Sequence, residues 1–108
     1  MSDNRADRIA KIVKNAAAEF MQKESSGQSL ITITDVRLSN DEKYANILFT
    51  VLPDDKEEAV LEFTKRMRTE FRQYVKTNTK LGRIPTFDFQ IDLGEKHRQK
   101  IDLISLKN

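Results

Sequence analysis

Two alternating apolar runs set close together leave the middle of this chain few ways to fold. The runs are "LITITDVRL" (30–38) and "YANILFTVL" (44–52), and between them stands the polar stretch "SNDE". Alternation with period two, rich in β-branched and aromatic residues, is the pattern of strands with one buried face. Ser, Asn and Asp side chains imitate backbone hydrogen bonds and so favour a turn between them. So short a link predicts an antiparallel hairpin. In the second run Ala45, Ile47, Phe49 and Val51 share a face. In the first, Ile31 and Ile33 share one, and the phase then slips to Val36 and Leu38. A slip of one residue predicts a bulge near Thr34-Asp35. Pro53 ends the second strand, because it has no N–H to give a ladder.

The hairpin needs something to bury its apolar face against, and helical patterns flank it. "RIAKIVKNAAAEFMQK" places Ile9, Ile12, Val13, Ala16, Ala17 and Phe20 at the i, i+3, i+4, i+7 spacing of an amphipathic helix. Asp3 or Asn4 is its expected cap, and "ESSGQS" with Gly27 a loop after it. After Pro53, a second helix is expected with Asp54 or Asp55 as cap and an acidic first turn at Glu57 and Glu58. Its apolar stripe reads Val60, Phe63, Met67, Phe71, Tyr74. Gly82 is the expected break and Pro85 prevents continuation. "TFDFQID" predicts a third strand with Phe87, Phe89 and Ile91 inward. The tail from Glu95 to Leu106 reads as one more short helix packed through Ile101, Ile104 and Leu103. The order is α-β-β-α(α)-β with a C-terminal helix, an α+β chain with a three-stranded sheet packed by helices. At 108 residues a single domain, 1–108, is expected.

Several chemistries are excluded by residue type alone. There is no Cys and one His, His97, so thiol catalysis, disulfides and Cys/His zinc sites are ruled out. The three glycines, Gly27, Gly82 and Gly94, lie too far apart for a phosphate loop. Asp54/Asp55 and Glu57/Glu58 read as helix-start residues, since neighbours there point to different faces. His97 with Lys96, Arg98 and Lys100 reads as a small basic patch. No enzyme, cofactor, metal or small-molecule substrate is expected. No apolar run reaches the roughly 18 residues of a membrane span, and the polar opening "MSDNRADRIAK" lacks a secretory h-region. A cytoplasmic protein, monomeric and without membrane contact, is the expectation.

Charge is where the sequence points outward. With Lys+Arg 19 and Asp+Glu 17 the chain carries only +2. Yet Lys65 to Arg83 holds seven basic residues and one acid, a local +6 that leaves −4 for the remainder. At about 100° per residue, Lys65, Arg68, Arg72, Lys76 and, less tightly, Lys80 fall opposite the apolar stripe. Two readings are open. A surface helix must carry charge on its wet face, and cations suit its C-terminus. A single-sign ridge several turns long is also the footprint of a phosphate-binding face.

Four stretches, in order and correctly spaced, resemble the ribosome-binding factor A family over nearly the whole chain. "RADRIAKIV" is similar to the family's opening helix through Arg5, Arg8 and Ile9. "TITDVRLSNDEKYANILFTVL" is similar to its most specific segment through Thr32, Asp35, Val36, Ser39, Asp41, Ala45, Val51 and Leu52. "RIPTFDFQID" carries Pro85, Phe87, Phe89 and Asp92, and "KIDLI" carries Ile101 and Asp102 in the closing motif. There are two departures. The family's A-x-G between its last two long helices is replaced by Arg68-Thr69-Glu70, so one bent helix competes with a sharp kink. Its D-P-R before the first strand is replaced by "SSGQSL".

The resemblance implies a type II KH-like domain, without the GxxG loop, that acts as an assembly factor. It implies binding to free small (30S) ribosomal subunits near the 5′-terminal helix of 16S rRNA, assistance to late maturation and processing, and a link to growth in the cold. With no GxxG clamp for single strands, shape and phosphate contact are the expected mode. Taken with the resemblance, the basic stripe reads as an rRNA surface, and the expected RNA-binding residues are Arg68, Arg72, Lys76, Lys80 and Arg83, with Arg5 and Arg8 as a second patch. The alternatives are a module docking on ribosomal proteins through the acidic remainder, and a general chaperone of structured RNA.

Overall fold

The computed structural model describes residues 5–24 and 27–106, with side chains as far as Ile101. Helix α1 spans Arg5–Glu24 and is followed by β1 (Leu30–Leu38) and β2 (Tyr44–Leu52). A 3₁₀ turn at Asp54–Lys56 leads into α2 (Glu57–Arg66) and α3 (Arg68–Asn78). Strand β3 covers Thr86–Ile91 and α4 covers Leu93–Leu106. The capping positions expected at Asp3 and Asn4 lie outside the described residues.

The sheet is ordered β1-β2-β3 and is mixed. β1 and β2 form the expected antiparallel hairpin, while β3 runs parallel to β2. A parallel neighbour cannot be reached by a tight turn, so α2 and α3 form the crossover. The predicted bulge is present: Ile33 faces Phe49 and Asp35 faces Leu48, leaving Thr34 as the extra residue. The turn is built as the sequence suggested. The Ser39 hydroxyl donates to Asp41 Oδ1 (2.7 Å), which also accepts the Lys43 N–H (3.0 Å). Those two donors, the hydroxyl first, hold the Asp41 carboxyl below its ordinary range.

One core fills the space between the sheet's inner face and α1, α2 and α3. Ile9, Val13, Ala16, Ala17, Phe20 and Met21 of α1 pack onto Ile33, Val36, Ala45, Ile47, Phe49, Val51, Phe87 and Phe89. Phe71 of α3 is the hub, with edge-to-face contacts to Phe20 (5.3 Å), Phe87 (4.8 Å) and Phe89 (5.6 Å). The outward residues Leu48 and Thr50 are buried as well, because β2 is central and α4 returns across it.

One open alternative is decided and three local expectations need correcting. Of the one bent helix or two helices allowed after Pro53, the structure has two, broken at Met67 (φ −96°, ψ 6°). The break occurs without glycine, and it spans one residue: Met67 N–H still donates to Phe63 O, and Phe71 N–H to Met67 O. Just before it, the buried Thr64 hydroxyl donates to the Leu61 carbonyl (2.7 Å), a back-bond that bends helices. The break rotates the apolar face, so the fully buried positions are Val60, Thr64, Phe71 and Val75, while Phe63, Met67 and Tyr74 are half-buried. As the first correction, neither Asp54 nor Asp55 caps a helix. Both lie in the 3₁₀ turn, and no side chain caps it or α2. Second, α3 stops at Thr79, before Gly82: Thr79 turns extended and its hydroxyl donates to the Val75 carbonyl (2.7 Å). Third, Ile101 is 61% exposed and does not pack. The side chains of Leu103 and Ile104 lie outside the described residues.

Helix α4 is instead held at its start. Asp92 Oδ1 accepts the Glu95 N–H (3.0 Å) and Oδ2 accepts the hydroxyl of the bulged Thr34 (2.5 Å). These bonds, the one from Thr34 first, lower the Asp92 pKa. Lys96 Nζ sits 2.9 Å from Glu57 at the start of α2, which raises the Lys96 pKa.

Candidate nucleic-acid interface

The basic residues singled out from the sequence form two sites and not one ridge. Arg68, Arg72 and Lys76 repeat every fourth residue along α3, so they share an exposed face. Lys80 and Arg83 lie beyond the end of α3, in the loop to β3. There they meet Arg5 and Arg8 from the first turns of α1 around a cleft of about 270 Å³. The α1–α3 packing through Phe20, Phe71 and Tyr74 brings these distant parts of the chain together. The lateral position of Lys80, read as a loose member of the helix stripe, is corrected to a member of this cleft.

The two sites differ in how their cations are engaged. In the cleft, Arg5 pairs with Glu42 (3.0 Å), a residue of the hairpin turn with φ of 61°. Arg8, Lys80 and Arg83 have no ion-pair partner among the described residues. Four cations with one carboxylate beside them make a strongly positive concavity. On the α3 face, Arg68 stands 3.8 Å from Asp88, an exposed pair of little energetic weight. Arg72 has a structural task, because its guanidinium donates to the carbonyls of Ile84 (3.2 Å) and Pro85 (3.1 Å). Those bonds fix the entry to β3. A second depression, of about 320 Å³, lies there, lined by Arg68, Thr69, Arg72, Thr86 and Phe87.

The patch around His97 is less available than its composition suggests. Lys96 is tied to Glu57, and Arg98 to Glu95 on its own helix. Phe71 and Tyr74 sit on the core side, as their spacing indicated, Phe71 buried and Tyr74 half-buried against Phe20, and Tyr74 lies under the Lys23 ammonium, 5.4 Å from the ring centre. Sequence reasoning missed the uncharged part of the cleft's lining, Ile9, Ile12, Leu81 and Gly82. Ile12 read as core and Gly82 as a helix stop, and neither period nor composition carried a signal for their meeting. Among the described residues no group of carboxylates or imidazoles converges in a way that would hold a metal ion, and no helix is long and apolar enough to cross a membrane.

A small α+β fold with cations concentrated at a helix face and an adjoining cleft defines a protein whose prominent surface suits polyanions. The chain belongs to the ribosome-binding factor A family, whose model matches residues 5–105. It is 30% identical over 97 residues to the ribosome-binding factor A of Kosmotoga olearia, covering 89% of this chain and 78% of that protein. Its fold is similar to the crystal structure of ribosome-binding factor A from Thermus thermophilus, with a TM-score of 0.72 at 21% identity over 82% of this chain and 97% of that one. It is also similar to a homology model of the Thermus thermophilus factor fitted into a cryo-EM map of a 30S complex (TM-score 0.65, 24% identity, 73% and 86% covered). The α+β, KH-like architecture expected from the sequence is therefore the one observed.

Proposed function

We propose that this chain binds free small ribosomal subunits and assists the late maturation and processing of 16S rRNA, without catalysis, as one cytoplasmic KH-like domain. The observation that carries the reading is the convergence of Arg5 and Arg8 from α1 with Lys80 and Arg83 from the α3–β3 loop in one cleft. Family membership supplies the partner class, and the 30S complex described for a relative supports the same choice. The cleft and the α3 face together offer Arg5, Arg8, Arg68, Arg72, Lys76, Lys80 and Arg83 as phosphate contacts. Such contacts position a protein on RNA and carry no sequence information themselves. Discrimination therefore comes from the shape of the rRNA, with the region of the 5′-terminal helix as the proposed site.

A salt titration of binding to purified small subunits tests the phosphate-contact mode. Neutralising four or five phosphates gives a log–log slope of about −3 to −4. A slope near zero contradicts it. Excess bulk tRNA leaves subunit binding intact if the site is subunit-specific, and abolishes it if the chain is a general RNA chaperone.

A further inference from the structure

The cleft between α1 and the α3–β3 loop has a composition that phosphate contact alone does not explain. Four of its lining residues are cations, but Ile9, Ile12 and Leu81 line it as well. Ile12 and Leu81 are only half-buried, so apolar surface is left open beside four charges. A phosphate gains nothing from an aliphatic wall. A nucleobase does, because its ring face is apolar and its backbone phosphate lies within a few ångströms of it. At about 270 Å³ the cleft falls just below the usual range for small-ligand sites, about 300–1,000 Å³. That is room for one nucleotide. A stacked duplex base cannot enter it, since reaching a pocket requires leaving the stack, which costs least for a base already unpaired.

We infer that this cleft holds a single unpaired nucleotide extruded from the RNA, its base on Ile12 and Leu81 and its phosphates on Arg8, Lys80 and Arg83. The inference rests on the reading of this surface as RNA-binding, and adds that it selects for an unpaired base. Gly82 completes the geometry. It lines the cleft, its backbone is not in the left-handed region, and a Cβ built on it meets nothing within 4 Å. A larger side chain there enters the space proposed for the base while leaving every cation and the core in place.

That substitution makes the test. Fluorescence anisotropy at one fixed salt concentration is used to compare two RNA hairpins that differ by one bulged nucleotide. The wild-type protein binds the bulged hairpin about fivefold or more tighter than the perfect one. Gly82→Leu brings the ratio of affinities for the two hairpins to about one, while Lys80→Glu/Arg83→Glu weakens binding to both. Equal wild-type affinity for the two hairpins, or a preference that survives in Gly82→Leu, overturns the inference. Tight binding of free 5′-AMP with no preference between hairpins assigns the cleft to a free nucleotide and overturns it too. Failure of the wild-type protein to bind either hairpin sinks the RNA-binding reading itself, and this one with it.

Discussion

Single residues decide which charges hold the fold and which face outward. Asp92 caps α4 through the Glu95 N–H and anchors the bulged Thr34, so Asp92→Ala costs about 1 kcal/mol in urea unfolding at neutral pH. Asp92 and Asp41 both have carboxyls lowered in the folded protein, chiefly by hydroxyl donors. Their contribution is complete above the unfolded carboxylate pKa of about 3.9 and is lost as pH falls through the lower folded value. Stability therefore drops in acid below about pH 4, and less steeply in the Asp92→Ala variant. A stability–pH series on the two proteins checks this, and parallel curves would argue against it. Lys96 has the opposite sign. Its hydrogen bond to Glu57 raises its pKa, so that stabilisation is present at neutral pH and lost only in strong alkali. Among the α3 cations, Arg72 bonds two backbone carbonyls whereas Lys76 bonds none among the described residues. Arg72→Ala accordingly lowers stability by about 1 kcal/mol, while Lys76→Ala stays within about 0.5 kcal/mol of wild type. Equal unfolding midpoints for the two variants would show that the Arg72 bonds carry no weight.

At the scale of elements, the α2–α3 break and the aromatic cluster shape the interface. Phe71 touches Phe20, Phe87 and Phe89 at the junction of α1, α3 and β3. Phe71→Ala is expected to cost about 3–5 kcal/mol, whereas Thr64→Val, which keeps the shape and removes only the back-bond, costs less than about 1.5 kcal/mol. Chemical denaturation of both variants measures the contrast, and comparable losses would mean that the Thr64 bond, and not packing, holds the junction. The elements themselves were largely legible in the sequence. The hairpin, the bulge at Thr34, the Ser39–Asp41 turn, the third strand and α1 follow from period two, period 3.6 and turn chemistry, all of them local signals. What was not legible depends on tertiary packing. The break at Met67 carries no glycine or proline, so the apolar stripe was projected through it and Val75 was missed. Thr64 is polar by type and buried only because its hydroxyl finds the Leu61 carbonyl. Lys80 and Arg83 were legible as cations. Their meeting with Arg5 and Arg8 was not, because it depends on how α1 crosses α3.

At the scale of the molecule, the chain is nearly neutral but dipolar, with +6 between Lys65 and Arg83 against −4 elsewhere. Such a separation orients approach to a polyanion and speeds encounter at low salt. It also presents an acidic remainder that would suit basic ribosomal proteins, and charge reversal on the basic side separates the two modes of contact. Reversing charge at Arg72 would confound binding with the loop it holds. Lys80 and Arg83 are free of ion pairs among the described residues, so their reversal changes the cleft alone. The most direct measurement is sucrose-gradient sedimentation of a lysate containing the tagged protein or its Lys80→Glu/Arg83→Glu variant. The wild-type protein is expected with the free small subunits and the variant at the top of the gradient. Co-sedimentation of both, or of neither, would contradict binding of the small subunit through the basic cleft.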